Sequence, residues 1–175
     1  MNEVEINKDT KLSQHFTLGE LTKTNVKGIS NVPSHAAVLN LKNLCENWLE
    51  PLREKSGGPV LINSGFRSEA VNKAIGGVKG SNHLTGCAVD IRVTGPEQAI
   101  RYACILLDIA DESKRDYDEL LIERSPKGTY WVHFAVRPSG GPSGGPSTGS
   151  GTASGTASGT APTAINRRKV AFLRA

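Results

Sequence analysis

One segment near the C-terminus limits how much of this 175-residue chain can fold compactly. Residues 139–161 contain only Ser, Gly, Pro, Thr and Ala, and the run Thr-Ala-Ser-Gly occurs there twice in succession. Such a composition offers too little apolar surface to offset the conformational entropy lost on folding, so it predicts a flexible or extended linker. The prediction divides the chain into a compact domain over residues 1–138, the linker, and a basic and apolar docking tail over residues 162–175.

The excess positive charge of the chain lies in that tail. The chain has 21 basic and 17 acidic residues, a formal net charge of +4. Residues 139–166 carry no ionisable side chain, and the tail adds four basic residues and no acidic one, at Arg167, Arg168, Lys169 and Arg174. Residues 1–138 are therefore neutral overall, and we expect no nucleic-acid partner for them. An extended tail could contact an anionic partner or add as a strand to a partner's sheet edge.

Three further patterns bound the class of protein. No run of about 18 apolar residues is present, so we expect no membrane-spanning helix. The first 20 residues include several charged side chains and no apolar stretch, so we expect no secretory signal peptide. The three cysteines form no CxxC pair, and we expect reduced, buried thiols at Cys45, Cys87 and Cys104.

The pattern of apolar residues in residues 1–138 predicts an α+β fold, with a small antiparallel sheet flanked by helices. The strongest helix prediction covers residues 34–52, with Ser34 as its N-cap and Pro51 ending or bending it. Another helix starts near Pro96 and carries an apolar stripe of Ile100, Cys104, Leu107 and Ile109. The other predicted elements are strands at 60–63 and 87–93, a helix at 68–75, and a hairpin of 118–123 with 130–136.

Two histidines and one aspartate on or beside these strands suggest a metal site. His83 lies in a loop seven residues before Asp90, and His133 lies in the last predicted strand. Two imidazoles and a carboxylate suit zinc, and three protein ligands leave a fourth position open, as in catalytic zinc sites. His15 and His35 fit no such pattern, and we interpret them as ordinary surface residues.

The segment at residues 81–90, SNHLTGCAVD, resembles the motif SxHxxGxAxD of zinc peptidases related to D-alanyl-D-alanine carboxypeptidases. That group includes vancomycin-resistance dipeptidases, phage L-alanyl-D-glutamate endolysins and the hedgehog signalling domain. The resemblance covers roughly residues 15–136, and its opening is similar to that of the small phage-type members. The other similar segments are Ser64–Ser68 (SGFRS, for SGYRS), Asn72 with Gly76 and Gly77, Trp131–His133 (WxH), and the opening Phe16–Leu21.

The resemblance implies the α+β fold of this family and a role for each site residue. Its metal ligands correspond to His83, Asp90 and His133, which implies a Zn²⁺ cofactor. The resemblance also implies that Arg67 holds a substrate carboxylate or carbonyl, for which a planar guanidinium is suited. Ser81 would orient a ligand or the substrate.

The general base is less clearly marked. Many relatives have Asp or Glu three residues before the last histidine, where this chain has Tyr130. Residues 117–123 instead resemble the segment FDxxxxE of hedgehog-like and small phage-type members, which makes Glu123 the predicted base and Asp118 the alternative. Strand alternation places Glu119 and Glu123 on one face, and we interpret Glu119 as a surface charge.

The favoured function is that of a zinc metallopeptidase cutting a peptidoglycan stem peptide, of the D,D-carboxypeptidase or L-alanyl-D-glutamate endopeptidase type. The small size and the phage-type opening suggest a bacteriophage endolysin in the host cytoplasm, or a hydrolase carried in the virion, acting on the periplasmic cell wall. In the second case a virion protein would bind the tail. The alternative is a zinc-stabilised virion structural or binding module without catalysis, which Tyr130 and the long tail favour.

Overall fold

The chain has the predicted α+β architecture, in which helices cover one face of a small sheet. The computed structural model describes residues 7–138 and the backbone of residues 169–174. The predicted linker at 139–161 lies outside the described residues, so the division into domain, linker and tail stays a prediction. The helices are α1 (Leu18–Leu21), α2 (His35–Leu44), α3 (Glu50–Ser56), α4 (Glu69–Ala74) and α5 (Pro96–Ser113), with a π-helical turn at Cys45–Leu49 and a 3₁₀ turn at Asn82–Thr85.

The long helical segment begins as predicted and continues further than predicted. The Ser34 side chain accepts a hydrogen bond from the backbone N–H of Ala37, which caps the first turn of α2. Pro51 lies in the first turn of α3, where its missing N–H is tolerated, so the helix does not end there. It ends instead at Gly57, whose φ of 75° is the left-handed conformation that glycine adopts easily.

The strands form one sheet in the order β1-β2-β4-β3-β5. All neighbouring pairs are antiparallel except β3 and β5, which are parallel. The hairpin predicted for residues 118–136 is present as β3 and β4. The strands are β1 (Ile62–Ser64), β2 (Ala88–Arg92), β3 (Glu119–Arg124), β4 (Tyr130–Ala135) and β5 (Lys169–Arg174).

Alternation along the strands separates an apolar face from a polar one. Val89 of β2 pairs with Phe134 of β4, and Phe134 pairs with Leu120 of β3, so these buried side chains share one face. Helices cover that face, where the Trp48 ring of the π turn lies 4.9 Å from the Phe134 ring, centroid to centroid. The opposite face carries the pair Asp90 and His133. The sheet therefore uses one face for the hydrophobic core and the other for polar chemistry.

Helix α5 packs through the predicted stripe only in part, because Ile109 is buried and Leu107 packs against the core as predicted. Ile100 and Cys104 are exposed, whereas Ala99, Ala103 and Leu106 are buried. The expectation of three buried thiols is therefore wrong at Cys104 and correct at Cys45 and Cys87. Ile100 and Cys104 each follow a buried alanine by one position, which is about 100° around the helix, so they face away from the core.

The end of the tail forms a strand on the sheet of its own chain. β5 pairs with β3 in register from Glu119 opposite Lys169 to Arg124 opposite Arg174. The composition of the tail allowed such a strand on the sheet edge of a partner. In this structure the edge that it covers is β3, the strand that carries Glu119 and Glu123.

Candidate metal centre

His83 reaches the site from a tight turn that packs on a helix. The 3₁₀ turn begins at Ser81, whose hydroxyl accepts a 3.4 Å hydrogen bond from the backbone N–H of His83. It ends at Gly86, whose φ of 73° favours glycine. A Cβ at Gly86 would lie 2.5 Å from the carbonyl oxygen of Ala37, so only glycine allows the turn to approach α2 this closely. The chain then enters β2 directly.

Asp90 and His133 come together because β2 pairs with β4. They are opposite each other in the antiparallel register, so both side chains lie on the polar face. One potential ligand atom from each of His83, Asp90 and His133 lies within 4.8 Å of the others. The three residues predicted as metal ligands are thus brought together.

The two imidazoles face the same carboxylate oxygen. Nδ1 of His133 lies 2.9 Å, and Nε2 of His83 3.3 Å, from Oδ1 of Asp90. His83 is only 1% exposed, and its Nε2 makes no hydrogen bond among the described residues. A buried ring nitrogen left without a hydrogen bond beside a carboxylate oxygen is the arrangement that a metal ion completes, so these residues fit a divalent cation.

The other nitrogen of each ring contacts a second partner. Nδ1 of His83 lies 2.6 Å from the carbonyl oxygen of Gly65, and Nε2 of His133 lies 3.3 Å from Oε2 of Glu119. Metal-binding histidines usually donate their second N–H to a carbonyl or carboxylate, which fixes the ring orientation. Both rings therefore have the outer contacts expected of metal ligands.

The electrostatics of the site favour an ionised Asp90. Burial alone would raise its pKa, but the hydrogen bond with His133 and the nearby His83 imidazole outweigh burial and hold the pKa far below its usual range. For His133, burial would lower the pKa, whereas hydrogen bonds to Asp90 and Glu119 raise it to about 9. The carboxylate is therefore charged at neutral pH and suited to a cation.

Arg67 contacts the metal ligand itself. Its Nη2 donates a 2.6 Å hydrogen bond to Oδ2 of Asp90, and its Nε donates one of 2.9 Å to the hydroxyl of Ser64. Arg67 thus binds Oδ2, the carboxylate oxygen of Asp90 that neither imidazole faces. The side chain is 14% exposed.

The two candidate general bases, Glu123 and Asp118, have different neighbours. Glu123 lies on the polar face with His133, and its carboxylate accepts a hydrogen bond from the indole N–H of Trp131. Asp118 lies just before β3, where its Oδ1 is 3.5 Å from Nε of Arg137. Of these two carboxylates, Glu123 shares the face that carries the metal ligands.

Two polar residues of the site were missed or misjudged from the sequence. Glu119, interpreted as a surface charge, contacts His133, and the Nδ2 of Asn82 lies 3.5 Å from the same Oε2 of Glu119. The alternation that placed Glu119 on the face of Glu123 contained the necessary signal. Asn82 lies inside the motif next to His83, but its spacing gives no indication of a partner on β3.

Comparison with protein families matches residues 14–113 to Peptidase M15. The match spans more than half of the chain, and the protein belongs to this family of zinc peptidases. It is accordingly a metallopeptidase by family, and its His-Asp-His cluster can hold a metal ion. The curated proteins include no match to this chain. The matched range contains His83 and Asp90 and ends before His133, which sheet pairing brings to the site.

A helix that crosses a bilayer must be about 20 residues long and predominantly apolar. Within residues 7–138, no helix is both long enough and apolar enough to cross a membrane.

Proposed function

We propose that this protein is a zinc-dependent peptidase that hydrolyses a bond of a peptidoglycan stem peptide. The observation that carries the proposal is the convergence of His83, Asp90 and His133, with ligand atoms within 4.8 Å of one another, in a chain of the M15 family. Two imidazoles and one carboxylate form a ligand set that suits zinc and leaves a position open.

Each residue of the site has a proposed role in the hydrolysis. A zinc ion held by His83, Asp90 and His133 would polarise the scissile carbonyl and acidify a water molecule. Glu123 would accept the proton of the attacking water at its carboxylate and deliver it to the leaving amine. The indole of Trp131 supports this role because its hydrogen bond fixes the Glu123 carboxylate on the site face.

Arg67 has two roles in this proposal. Its contact with Oδ2 of Asp90 leaves Oδ1 directed at the imidazoles. A guanidinium has five N–H donors, and a substrate carbonyl or carboxylate would bind to those that Ser64 and Asp90 leave over. Ser81 stabilises the turn that presents His83, which supports an orienting role rather than a chemical one.

The bond cleaved is of the D,D-carboxypeptidase or the L-alanyl-D-glutamate endopeptidase type. The phage-type opening at residues 16–21 supports a bacteriophage origin, as an endolysin in the host cytoplasm or as a virion-borne hydrolase. In either case the substrate lies in the periplasmic cell wall. In a virion, residues 162–175 would bind a particle protein.

One observation favours a second function, that of a zinc-stabilised virion structural or binding module. Position 130, acidic in many relatives, is a tyrosine on β4. In this case the metal would stabilise a recognition surface, and the Glu123 carboxylate would serve only to hold Trp131.

Digestion of purified peptidoglycan, followed by mass spectrometry of the released fragments, separates these functions. The zinc-loaded enzyme should release muropeptides shortened at one bond type, and a chelator or His133→Ala should abolish the release. Zinc binding without any cleavage of stem peptides of either type would contradict the peptidase and favour the binding module.

A further inference from the structure

Glu119 connects the two segments that carry the histidines. Its Oε2 lies 3.3 Å from Nε2 of His133 on β4 and 3.5 Å from Nδ2 of Asn82, the neighbour of His83 in the 3₁₀ turn. Its side chain is 28% exposed, so water only partly competes for these contacts. One carboxylate on β3 therefore touches both the turn and the strand that present imidazoles.

The contact is made on the side of the His133 ring that faces away from Asp90. Nδ1 of His133 faces Oδ1 of Asp90, the oxygen that His83 also faces, whereas Nε2 faces Glu119. Among the described residues, the cluster able to hold a metal contains His83, Asp90 and His133 but not Glu119. Glu119 is thus placed to act on a ligand rather than as a ligand.

We infer that Glu119 is a positioning residue that accepts the Nε2–H of His133 and so presents Nδ1 to the metal. The inference rests on the proposed zinc site. A hydrogen-bond acceptor at Nε2 fixes the tautomer and the plane of the ring. Asn82 holds the same carboxylate from the other side, which links the orientation of His133 to the turn that carries His83.

The test is the zinc affinity of the full chain, measured by competition with a chromogenic chelator. Removal of an outer partner of a metal ligand typically costs about 10–100-fold in affinity, and we expect a loss of this order for Glu119→Ala. Glu119→Gln keeps an acceptor oxygen and should recover most of the affinity. Glu46→Ala, which removes an exposed carboxylate paired with Lys42, is the matched control and should bind zinc like the wild type.

A second readout follows the hydrogen bond itself. In zinc-loaded wild type, the Nε2–H of His133 should give a downfield, slowly exchanging proton resonance in nitrogen-15-labelled protein. Glu119→Ala should shift that resonance upfield and speed its exchange with solvent. Because Glu119→Gln retains the side-chain volume, its spectrum tests the inference even if Glu119→Ala does not fold.

The outcomes separate this inference from the proposed function. Wild-type protein that binds no zinc would overturn both. Wild-type binding with unchanged affinity and an unchanged Nε2–H resonance in the Glu119 variants would overturn the positioning role alone. Glu119→Gln as weak as Glu119→Ala would also overturn it, because charge rather than a hydrogen bond would then be what matters.

Discussion

Asp90 is the residue on which the site depends. Its Oδ1 faces both imidazoles, and its Oδ2 accepts the hydrogen bond of Arg67. The side chain is 13% exposed, so its charge is balanced by these partners rather than by water. A buried carboxylate of this kind stays ionised only while its cationic or metal partners remain.

The first residue-scale prediction concerns the metal ligands. His133→Ala should lose most of its zinc affinity, because it removes one of three ligands. His35→Ala, at the exposed start of α2, should bind zinc like the wild type. Zinc content by elemental analysis after dialysis measures both, and retention of a full equivalent by His133→Ala would contradict the ligand assignment.

The second residue-scale prediction concerns the general base. Glu123→Gln should keep zinc and lose turnover by about 10²–10⁴-fold, because the amide cannot accept the water proton. Asp118→Asn is the control, since Asp118 lies near Arg137. Steady-state rates on a synthetic stem peptide and zinc content of the same samples provide the comparison. Full activity of Glu123→Gln with a loss in Asp118→Asn would reverse the assignment.

At the residue scale, the sequence was sufficient to predict the metal ligands, which belong to a recognisable motif. It was insufficient to predict contacts between single side chains that are distant in the chain. The motif and the family resemblance that it carries were enough to predict that His83, Asp90 and His133 converge. The contact of Arg67 with Asp90 and the contact of Glu119 with Asn82 each join a loop or turn to a strand that is distant in the sequence. Neither leaves a periodic trace in the sequence.

At the scale of elements, the helical segment from α2 to α3 is tied to the N-terminal arm. Glu50, the first residue of α3 after the π turn, accepts hydrogen bonds from the Ser13 hydroxyl and the backbone N–H of His15, both of 2.7 Å. Its other oxygen lies 2.7 Å from Nδ1 of His15. The arm and the helix are thus joined by one carboxylate.

This link predicts a pH-dependent stability. Burial would raise the pKa of Glu50, but hydrogen bonds from Ser13 and His15 outweigh it and lower the pKa below its ordinary value. The carboxylate therefore stabilises the fold above that ordinary value, and the stabilisation is lost as pH falls through the lowered pKa. Glu50→Ala should cost about 1 kcal/mol at pH 7 and less at pH 3.

Urea unfolding of wild type and variant at the two pH values measures the difference. Glu54→Ala is the matched control, because its side chain lies on the same helix and makes none of these three contacts. An equal cost of Glu50→Ala at both pH values would show that packing, not the carboxylate, holds the arm.

The existence and type of the elements could be predicted better than the faces they bury. The starts of α2 and α4 could be predicted, because each helix begins directly after a serine, Ser34 or Ser68. Two positions of the stripe on α5 were misassigned, because Ile100 and Cys104 are as apolar as the alanines that pack instead, whereas Ile109 is buried as predicted. The choice between them depends on how α5 is rotated about its axis against the core, which only tertiary packing decides.

At the scale of the whole molecule, all candidate site residues lie within residues 7–138, as does the core of the described residues. β5 adds one parallel strand at the edge of β3. Among the described residues, the metal cluster comes from the 3₁₀ turn, β2 and β4.

A chain that ends at Pro138 should for this reason fold, bind zinc and keep peptidase activity. Loss of β5 uncovers the outer edge of β3, so we expect a lower midpoint in thermal unfolding with unchanged zinc stoichiometry. Circular dichroism and metal analysis of the shortened and full chains check this. An unfolded product would show that β5 is required for the domain to fold.

Gly65 and Gly86, next to the site, show which part of the chain supports the site residues. A Cβ at Gly65 would lie 2.3 Å from the carbonyl oxygen of Leu21, and one at Gly86 would lie 2.5 Å from that of Ala37. The segments bearing Arg67 and His83 therefore rest on the backbone of α1 and α2, which supply no ligand. A fragment beginning near residue 60 would retain every proposed ligand and lose the support beneath them. We therefore expect the chain to tolerate shortening from the C-terminal end but not removal of the N-terminal helices.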